Sequence, residues 1–327
     1  MRKRLLSLLL VLACVLTLAV VPVVAAEPAP VQPTVSVTEP TPTTDPEPSP
    51  EPSSEPSPEP TSAPSPEPSP VPTPSGPWYQ AALDFACDHR ILLGDPSGNM
   101  MPNDNATRAQ MAAMLVRVFG CTAGKDIAHL TDVSTTAWYY SELSTAAQMN
   151  IFNGYGDGTM GPNRSITRQE AMIVIARAFA VPDGTAADIQ AFRDASSVGS
   201  WAVAKVGGLV KAGIVNGDNG SLHPTANITR AEIAQMLYNL GLQFCSDAAA
   251  LPASGRVIYT GAAPLTADAF TGTLYLGGPA GRDLGGMNIT GTLVVRTDPN
   301  GTVTVGGTVD TLAVAAEDTT VAGTGHA

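Results

Sequence analysis

The sequence predicts an α-plus-β protein with three helical repeats around a pseudo-threefold axis, followed by a small β-rich region. Three observations predict it: a proline-rich N-terminal stretch, a threefold recurring pattern in the middle, and Gly-Thr-apolar runs at the C-terminal end. The predicted segments are a signal peptide (1–26), a disordered tail (27–77), three repeats (78–122, 127–182 and 189–245) and the β-rich region (246–327).

The N-terminal segment has the pattern of a secretory signal. Arg2, Lys3 and Arg4 precede an apolar run that ends at two small residues, Ala25 and Ala26. The run is long enough to span a bilayer if it is not cleaved, so a retained anchor is the alternative, and lipid attachment at a cysteine of the run is a weaker one. We therefore expect an exported protein that meets the membrane only through this signal.

The tail at 27–77 holds 19 of the 29 prolines and eight acidic residues, with no Lys or Arg. This composition predicts an extended, self-repelling spacer, with O-glycosylation of its hydroxyl residues as an alternative.

The net charge of −12 for the whole chain argues against nucleic acid as a partner, because phosphate neutralisation needs a basic surface.

Three cysteines remain after the signal, and they are too few to indicate a disulfide framework. Cys87 and Cys121 could pair, but nothing in the sequence requires it. Cys87 falls on the apolar face of a predicted helix, which favours a small core residue over a reactive thiol.

Two spacings define the repeats. In each repeat a glycine lies sixteen residues after a tryptophan, and a proline lies five residues before the threonine of a Thr-Arg pair. Apolar spacing predicts one helix from just past each tryptophan to the glycine, where a left-handed turn should stop it. A second helix should start at the threonine with a capping box. A calcium loop between the helices is a weak alternative, because its carboxylates are too few. The positions are Trp78, Trp138 and Trp201; Gly94, Gly154 and Gly217; Pro102, Pro162 and Pro224; Thr107, Thr167 and Thr229; Arg108, Arg168 and Arg230; and the capping residues Gln110, Glu170 and Glu232.

Each of the three arginines stands at the first position of its predicted helix. Unpaired backbone N–H groups and the helix dipole favour an anion there, and a guanidinium adds a planar fork that matches a carboxylate. The alternatives are an arginine that pairs with an acidic residue of the neighbouring repeat and a tryptophan that belongs to the core.

These motifs resemble the S-layer homology family, whose units carry an Ile-Thr-Arg-Ala-Glu helix start, a tryptophan and a glycine-containing loop. The resemblance covers roughly residues 78–241. It implies noncovalent anchoring to an anionic secondary wall polysaccharide, often pyruvylated, with no catalysis and no cofactor. It also implies that the arginines, tryptophans and threonines above contact the glycan. Gln110 departs from the usual glutamate, and repeat 1 lacks the usual Phe-x-Asp element, so we expect the first unit to be the weakest.

We find no catalytic constellation, and His89, His129, His223 and His326 lack metal-ligand spacing.

The Gly-Thr-apolar runs after Ser246 favour a few turns of a parallel β-solenoid over a sandwich, although no fixed period is apparent. They end without a polar cap, so self-association through this region is one expectation and a longer chain is another. A non-catalytic anchor at the bacterial cell surface is our leading interpretation. The alternatives are a self-assembling structural protein, and the anchoring part of an enzyme whose catalytic domain lies elsewhere.

Overall fold

The computed structural model describes residues 76–95, 97–315 and 318–323, which belong to one compact unit. The predicted signal peptide and nearly all of the predicted tail lie outside this range. Two helices recur in each repeat, and a short extra helix and a 3₁₀ turn (Ala195–Ser197) enter the third. The helices are α1 (Gln80–Asp88), α2 (Arg108–Phe119), α3 (Tyr140–Gln148), α4 (Arg168–Ala178), α5 (Ala186–Ile189), α6 (Val203–Lys211) and α7 (Arg230–Asn239).

The first helix of each repeat is shorter than the sequence predicted. It ends about six residues before the glycine, and the left-handed residue after it is Arg90, Asn150 or Gly213. Of the three predicted stop glycines, only Gly217 has a positive φ, of 71°. Each of the three glycines instead has a close neighbour that leaves no room for a side chain. A Cβ on Gly154, for example, would lie 2.6 Å from the Thr159 carbonyl oxygen across its loop.

The second helix of each repeat begins with the predicted capping box. In α2, α4 and α7 the threonine side chain accepts from the backbone N–H three residues later, and the Gln or Glu at that position accepts from the threonine N–H. At its other end α2 stops at Gly120, whose φ of 65° is left-handed.

A ring of three backbone hydrogen bonds closes the repeats around the pseudo-threefold axis. Ala106 N donates to the Ile228 oxygen at 2.9 Å, Ile228 N to Ile166 at 3.0 Å, and Ile166 N to Ala106 at 3.0 Å. These residues immediately precede the capping threonines, and all three are fully buried. Each helix start is therefore held by the two neighbouring repeats.

The C-terminal region is a parallel β-solenoid with two sheets, as the sequence favoured. One sheet has the strand order β1-β2-β3-β5-β7 and the other β4-β6-β8. Its first strand comes directly after α7, upstream of the predicted change at residue 246. The strands are β1 (Leu242–Cys245), β2 (Ser254–Tyr259), β3 (Ala269–Leu276), β4 (Arg282–Asp283), β5 (Asn288–Val295), β6 (Thr302–Val305), β7 (Val309–Val314) and β8 (Thr320–Gly323).

The solenoid contains a period that the sequence reading missed. Ala269 pairs with Asn288 and Leu276 with Val295, so β3 and β5 are in register 19 residues apart. Gly272 and Gly291 stack within this register, and a Cβ on Gly291 would lie 2.1 Å from the Gly272 carbonyl oxygen. The earlier turns are shorter, with Leu242 paired to Arg256, and this irregularity hides the repeat.

The larger sheet packs its outer face on the helices, so the side chains of that face join the core of the bundle. Ile258, Tyr275 and Val294 belong to the same apolar cluster as the helices, whereas the solenoid interior forms a second cluster. Arg296 lies at this boundary, almost completely buried. Its guanidinium donates to the carbonyls of Ala178 (3.0 Å), Met149 (2.6 Å) and Arg177, which lie at the C-terminal ends of α4 and α3.

The three cysteines of the described residues are free thiols. Cys121 is buried beside the solenoid, and its thiol donates to the Arg296 carbonyl at 2.7 Å. Burial raises the pKa of this thiol from 9.0 to about 12. Cys87 is half-buried on α1, and burial raises its pKa as well.

Candidate functional site: three arginine junctions

At the three helix starts, the sequence reasoning expected unpaired backbone N–H groups that favour an anion, but these groups are already hydrogen-bonded within the protein. The backbone N–H groups of the first two residues of each helix donate to carbonyls of the next repeat, and the third N–H donates to the capping threonine. The acceptors are Arg164 and Pro162 for α2, Ala226 and Pro224 for α4, and Asp104 and Pro102 for α7. Only the side chains remain for an anion.

Each arginine side chain crosses to the loop of the next repeat, and the three crossings are called junctions here. The side chains are buried, at 5% exposure for Arg108 and Arg230 and 7% for Arg168. The first junction joins Arg230 to repeat 1, the second joins Arg108 to repeat 2, and the third joins Arg168 to repeat 3. The crossings run in one direction and close the ring, so the arginines contribute to the threefold packing.

At the first junction, Arg230 donates from Nε to the Met100 carbonyl at 2.8 Å and from Nη2 to the Leu93 carbonyl at 2.7 Å. It also lines a cavity of about 340 Å³ with Arg117 and Trp138. The other residues around this cavity are Leu92, Leu93, Gly94, Asp95, Met101, Gln110, Ala113 and Met114. Repeat 3 therefore contributes a cation to a groove whose walls come from repeats 1 and 2.

At the second junction, Arg108 donates to the Met160 and Asn153 carbonyls at 2.8 and 3.1 Å. The ring of Tyr155 covers its guanidinium, with 4.4 Å between the guanidinium carbon and the ring centroid. Arg164 lies 4.7 Å from the same ring centroid. An aromatic ring thus occupies the space above this arginine.

At the third junction, Arg168 donates from Nε to the Leu222 carbonyl at 2.8 Å, as its counterparts do. Its Nη1, however, forms an ion pair with Glu232 at 2.5 Å. This is the neighbouring-repeat salt bridge that the sequence left open as an alternative. The charge of Arg168 is therefore neutralised within the protein.

The three tryptophans lie on the surface. Trp78, Trp138 and Trp201 are 65%, 59% and 62% exposed, which excludes the core alternative for them. An exposed indole offers an apolar face to a sugar ring, and Trp138 forms part of the cavity wall. Glycan contact by the tryptophans and arginines stays a prediction.

The threonines Thr107, Thr167 and Thr229 serve as caps, as described above. Their hydroxyl oxygens accept from the N–H groups of Gln110, Glu170 and Glu232 at 3.2 to 3.4 Å. A direct role in glycan binding is a prediction that these contacts leave open.

Burial sets the electrostatics of two of the arginines. Removal from water lowers the pKa of Arg108, and nearby Tyr155 and Glu170 oppose that shift. Removal from water also lowers the pKa of Arg230, which Asp104 opposes and Arg117 reinforces. The sequence reasoning missed Arg117 and Tyr155, although Arg117 and Arg177 share a position ten residues after the capping threonine.

A second cavity of about 240 Å³ lies between the helices and the solenoid, beside Arg256 and Tyr275. Among the described residues, no group of three His, Cys, Asp or Glu side chains is placed to hold a metal ion. No helix in the described ranges is long and apolar enough to cross a membrane.

The S-layer homology domain family matches this chain at three segments, 73–112, 129–172 and 191–234. These segments contain the tryptophans, loops and helix starts that build the junctions. The chain therefore carries three S-layer homology domains, and the predicted resemblance is confirmed.

The chain is also similar to several bacterial proteins. It is 32% identical over 158 residues to the surface-layer 125 kDa protein of Lysinibacillus sphaericus, a match covering 47% of this chain and 13% of that protein. It is 30% identical over 156 residues to the cellulosome-anchoring protein of Acetivibrio thermocellus, covering 45% and 34%. With the amylopullulanase of Thermoanaerobacterium thermosulfurigenes it shares 30% identity over 167 residues, covering 50% and 9%.

S-layer homology domains are non-catalytic domains that anchor proteins to the cell wall. The matched domains and the surface proteins that share them confirm the predicted location at the bacterial cell surface. The chain spans about a third or less of the length of each of these relatives. Surface proteins and an enzyme are both among them.

Proposed function

We propose that this protein is a non-catalytic anchor whose helical bundle binds an anionic wall polysaccharide, with the carboxylate of a pyruvylated sugar as its ligand. The observation that carries the proposal is the groove at the first junction. There a buried guanidinium lies at one side of a 340 Å³ cavity and the exposed indole of Trp138 at another. A carboxylate attached to a sugar ring matches this pair of surfaces.

Weak binding at one groove is compatible with firm anchoring. A wall polysaccharide presents many copies of the same sugar, so a released chain rebinds a neighbouring copy at high effective concentration. Arg296 hydrogen-bonds the solenoid to the helical bundle, so a bundle bound to the wall also holds the solenoid there.

The proposal can be tested with purified wall polysaccharide, before and after chemical removal of its acidic substituents. The chain has three tryptophans, and all three are the exposed residues described above. Their fluorescence therefore reports on the surface around each indole without a label. We expect sedimentation with the intact polymer and a fluorescence change on binding. Equal retention on the neutralised polymer would contradict carboxylate recognition.

A second candidate function, self-assembly through the solenoid, is favoured by the final turn that the structure describes. Leu312 and Val314 continue the interior ladders of Leu293 and Val295, yet they are 37% and 44% exposed. Such an uncovered end is a site for pairing with another copy. We expect the molar mass from light scattering to rise with concentration, and Leu312→Asn to suppress the rise. A monomer at all concentrations would exclude this candidate.

A further inference from the structure

The three junctions share one backbone frame but differ in the side chain that lies beside the guanidinium. A carboxylate contacts Arg168 at 2.5 Å, and an aromatic ring covers Arg108 at 4.4 Å. The side-chain hydrogen bonds described for Arg230 run to backbone carbonyls, and among the described residues it forms no ion pair. Backbone carbonyls accept hydrogen bonds from the guanidinium of Arg230, but they carry no negative charge that would balance its positive charge.

The ion pair that the third junction has and the first lacks comes from one residue, the third of each second helix. Glu232 reaches back to the Thr229 N–H with one oxygen and pairs with Arg168 through the other. Gln110 makes the same capping bond to the Thr107 N–H, at 3.0 Å. Its remaining amide group carries no charge, and it lines the same cavity as Arg230. The local fold is thus unchanged while the internal counter-ion is missing.

A second cation strengthens the first junction. Arg117 lines the cavity and donates to the Ile91 carbonyl at 3.3 Å. Its counterpart in repeat 3, Asn239, makes the same bond to the Ile214 carbonyl at 2.9 Å but is neutral. The first junction therefore has two arginines where the third has one.

The acids near this groove leave the two charges largely available. Asp95, at the rim, stays ionised, but its carboxylate accepts from the N–H groups of Ser97 and Asn99 and, among the described residues, forms no ion pair with Arg230 or Arg117. Glu142 lies 4.0 Å from Arg117, the limit for an ion pair. Asp104 is exposed to solvent, which screens its effect on Arg230.

We propose that the first junction is the principal anion site of the bundle, and that Gln110 determines this by leaving Arg230 unpaired for a sugar carboxylate. Glu232 acts as an internal competitor that closes the third junction to the same ligand. This inference rests on the proposed function and assigns it to one groove. It also reverses the expectation that Gln110 weakens its unit, because the arginine beside Gln110 belongs to repeat 3.

The test uses two reciprocal substitutions in the full chain, Gln110→Glu and Glu232→Gln. The capping boxes show that both residue types fit the position, so folding should be preserved. The probe is a monosaccharide that carries a pyruvate ketal, with its methyl ester as the uncharged control, titrated by calorimetry. Glu170→Gln is the matched control, since Tyr155 still covers Arg108 in that variant.

We expect Gln110→Glu to weaken ketal binding at least about tenfold, which corresponds to about 1.4 kcal/mol. Glu232→Gln should add a second binding site, and Glu170→Gln should leave binding unchanged. The inference would be overturned if Gln110→Glu bound the ketal with wild-type affinity, or if Glu170→Gln lost as much affinity as Gln110→Glu. Either result would leave the anchoring function standing. Equal binding of the ketal and its ester by the wild type would remove the proposed function and this inference with it.

Discussion

The helical bundle and the solenoid are both built from repeats, but one closes on itself and the other does not. In the bundle, the ring through Ala106, Ile166 and Ile228 gives every repeat two neighbours. In the solenoid, β7 leaves Leu312 and Val314 partly exposed at the end of the ladders. A closed ring needs no cap, whereas an open stack needs a partner or a further turn.

The two regions also use buried arginine differently. Arg296 donates from Nε, Nη1 and Nη2 to three helix-end carbonyls, so each of its guanidinium nitrogens helps to join the solenoid to the bundle. Arg230 donates from Nε and Nη2 and still lines a cavity. Burial alone therefore does not show whether an arginine only holds the fold together or could also meet a ligand. In our proposal, the accessible space beside the guanidinium makes that difference.

Arg296→Ala provides the strongest test of this difference, with the largest expected effect. Loss of the side chain leaves the carbonyls of Ala178, Met149 and Arg177 without a donor at the boundary between the two regions. We expect the free energy of unfolding to fall by about 3–5 kcal/mol, measured by urea denaturation. The control is Arg256→Ala, where a half-buried arginine loses one bond, to the Leu240 carbonyl. Equal small losses in both variants would show that Arg296 does not join the regions.

Gly291→Ala tests the stacking of the solenoid turns. The φ of Gly291 is 130°, and an added Cβ would lie 2.1 Å from the Gly272 oxygen, so the strand must shift. We expect a loss of about 2–4 kcal/mol in unfolding free energy. Gly286→Ala is the matched control, because a Cβ there meets nothing within 4 Å. A variant as stable as this control would mean that the turns are more loosely stacked than described.

The bundle was predictable from sequence because its signals are local and occur three times. Capping boxes depend on residues three apart, so Thr107 and Gln110 reveal one helix start without tertiary information. The stop of the first helix was misplaced because two different glycine roles look alike in sequence. Gly154 is required by close approach across its loop, whereas the turn that ends α3 uses the left-handed Asn150.

Which of the arginines meets a carboxylate could not be predicted, because the answer depends on contacts between repeats. Glu232 lies two residues from Arg230 in sequence, but it neutralises Arg168, 64 residues away. The direction in which each side chain crosses the ring decides this, and a single repeat does not encode it. For the same reason, the effect of Gln110 belongs to the groove of Arg230 and not to that of Arg108.

Thr229→Ala should have a smaller effect than either change above. It removes a hydroxyl that accepts from the Glu232 N–H at 3.3 Å, a contribution that is typically about 1 kcal/mol. Thermal unfolding followed by circular dichroism should show this loss, and Thr229→Ser, which keeps the hydroxyl, should recover most of it. Identical losses in both variants would indicate that the methyl group is the important part.

The mildest test concerns the buried thiol of Cys121, where the solenoid meets the bundle. Because folding raises the pKa of this thiol from 9.0 to about 12, its contribution to stability is complete below pH 9 and is lost as the pH rises towards 12. At pH 9.5 the loss should be less than about 1 kcal/mol, since the thiol ionises in the unfolded chain but not in the folded one. Tyr275, whose pKa is raised from 10.0 to about 12, contributes mainly at higher pH. Unfolding free energies measured at pH 8 and pH 9.5 should therefore differ less in Cys121→Ala than in the wild type. An unchanged pH dependence in that variant would mean that water reaches the thiol, and that the boundary between the two regions is more open than its contacts indicate.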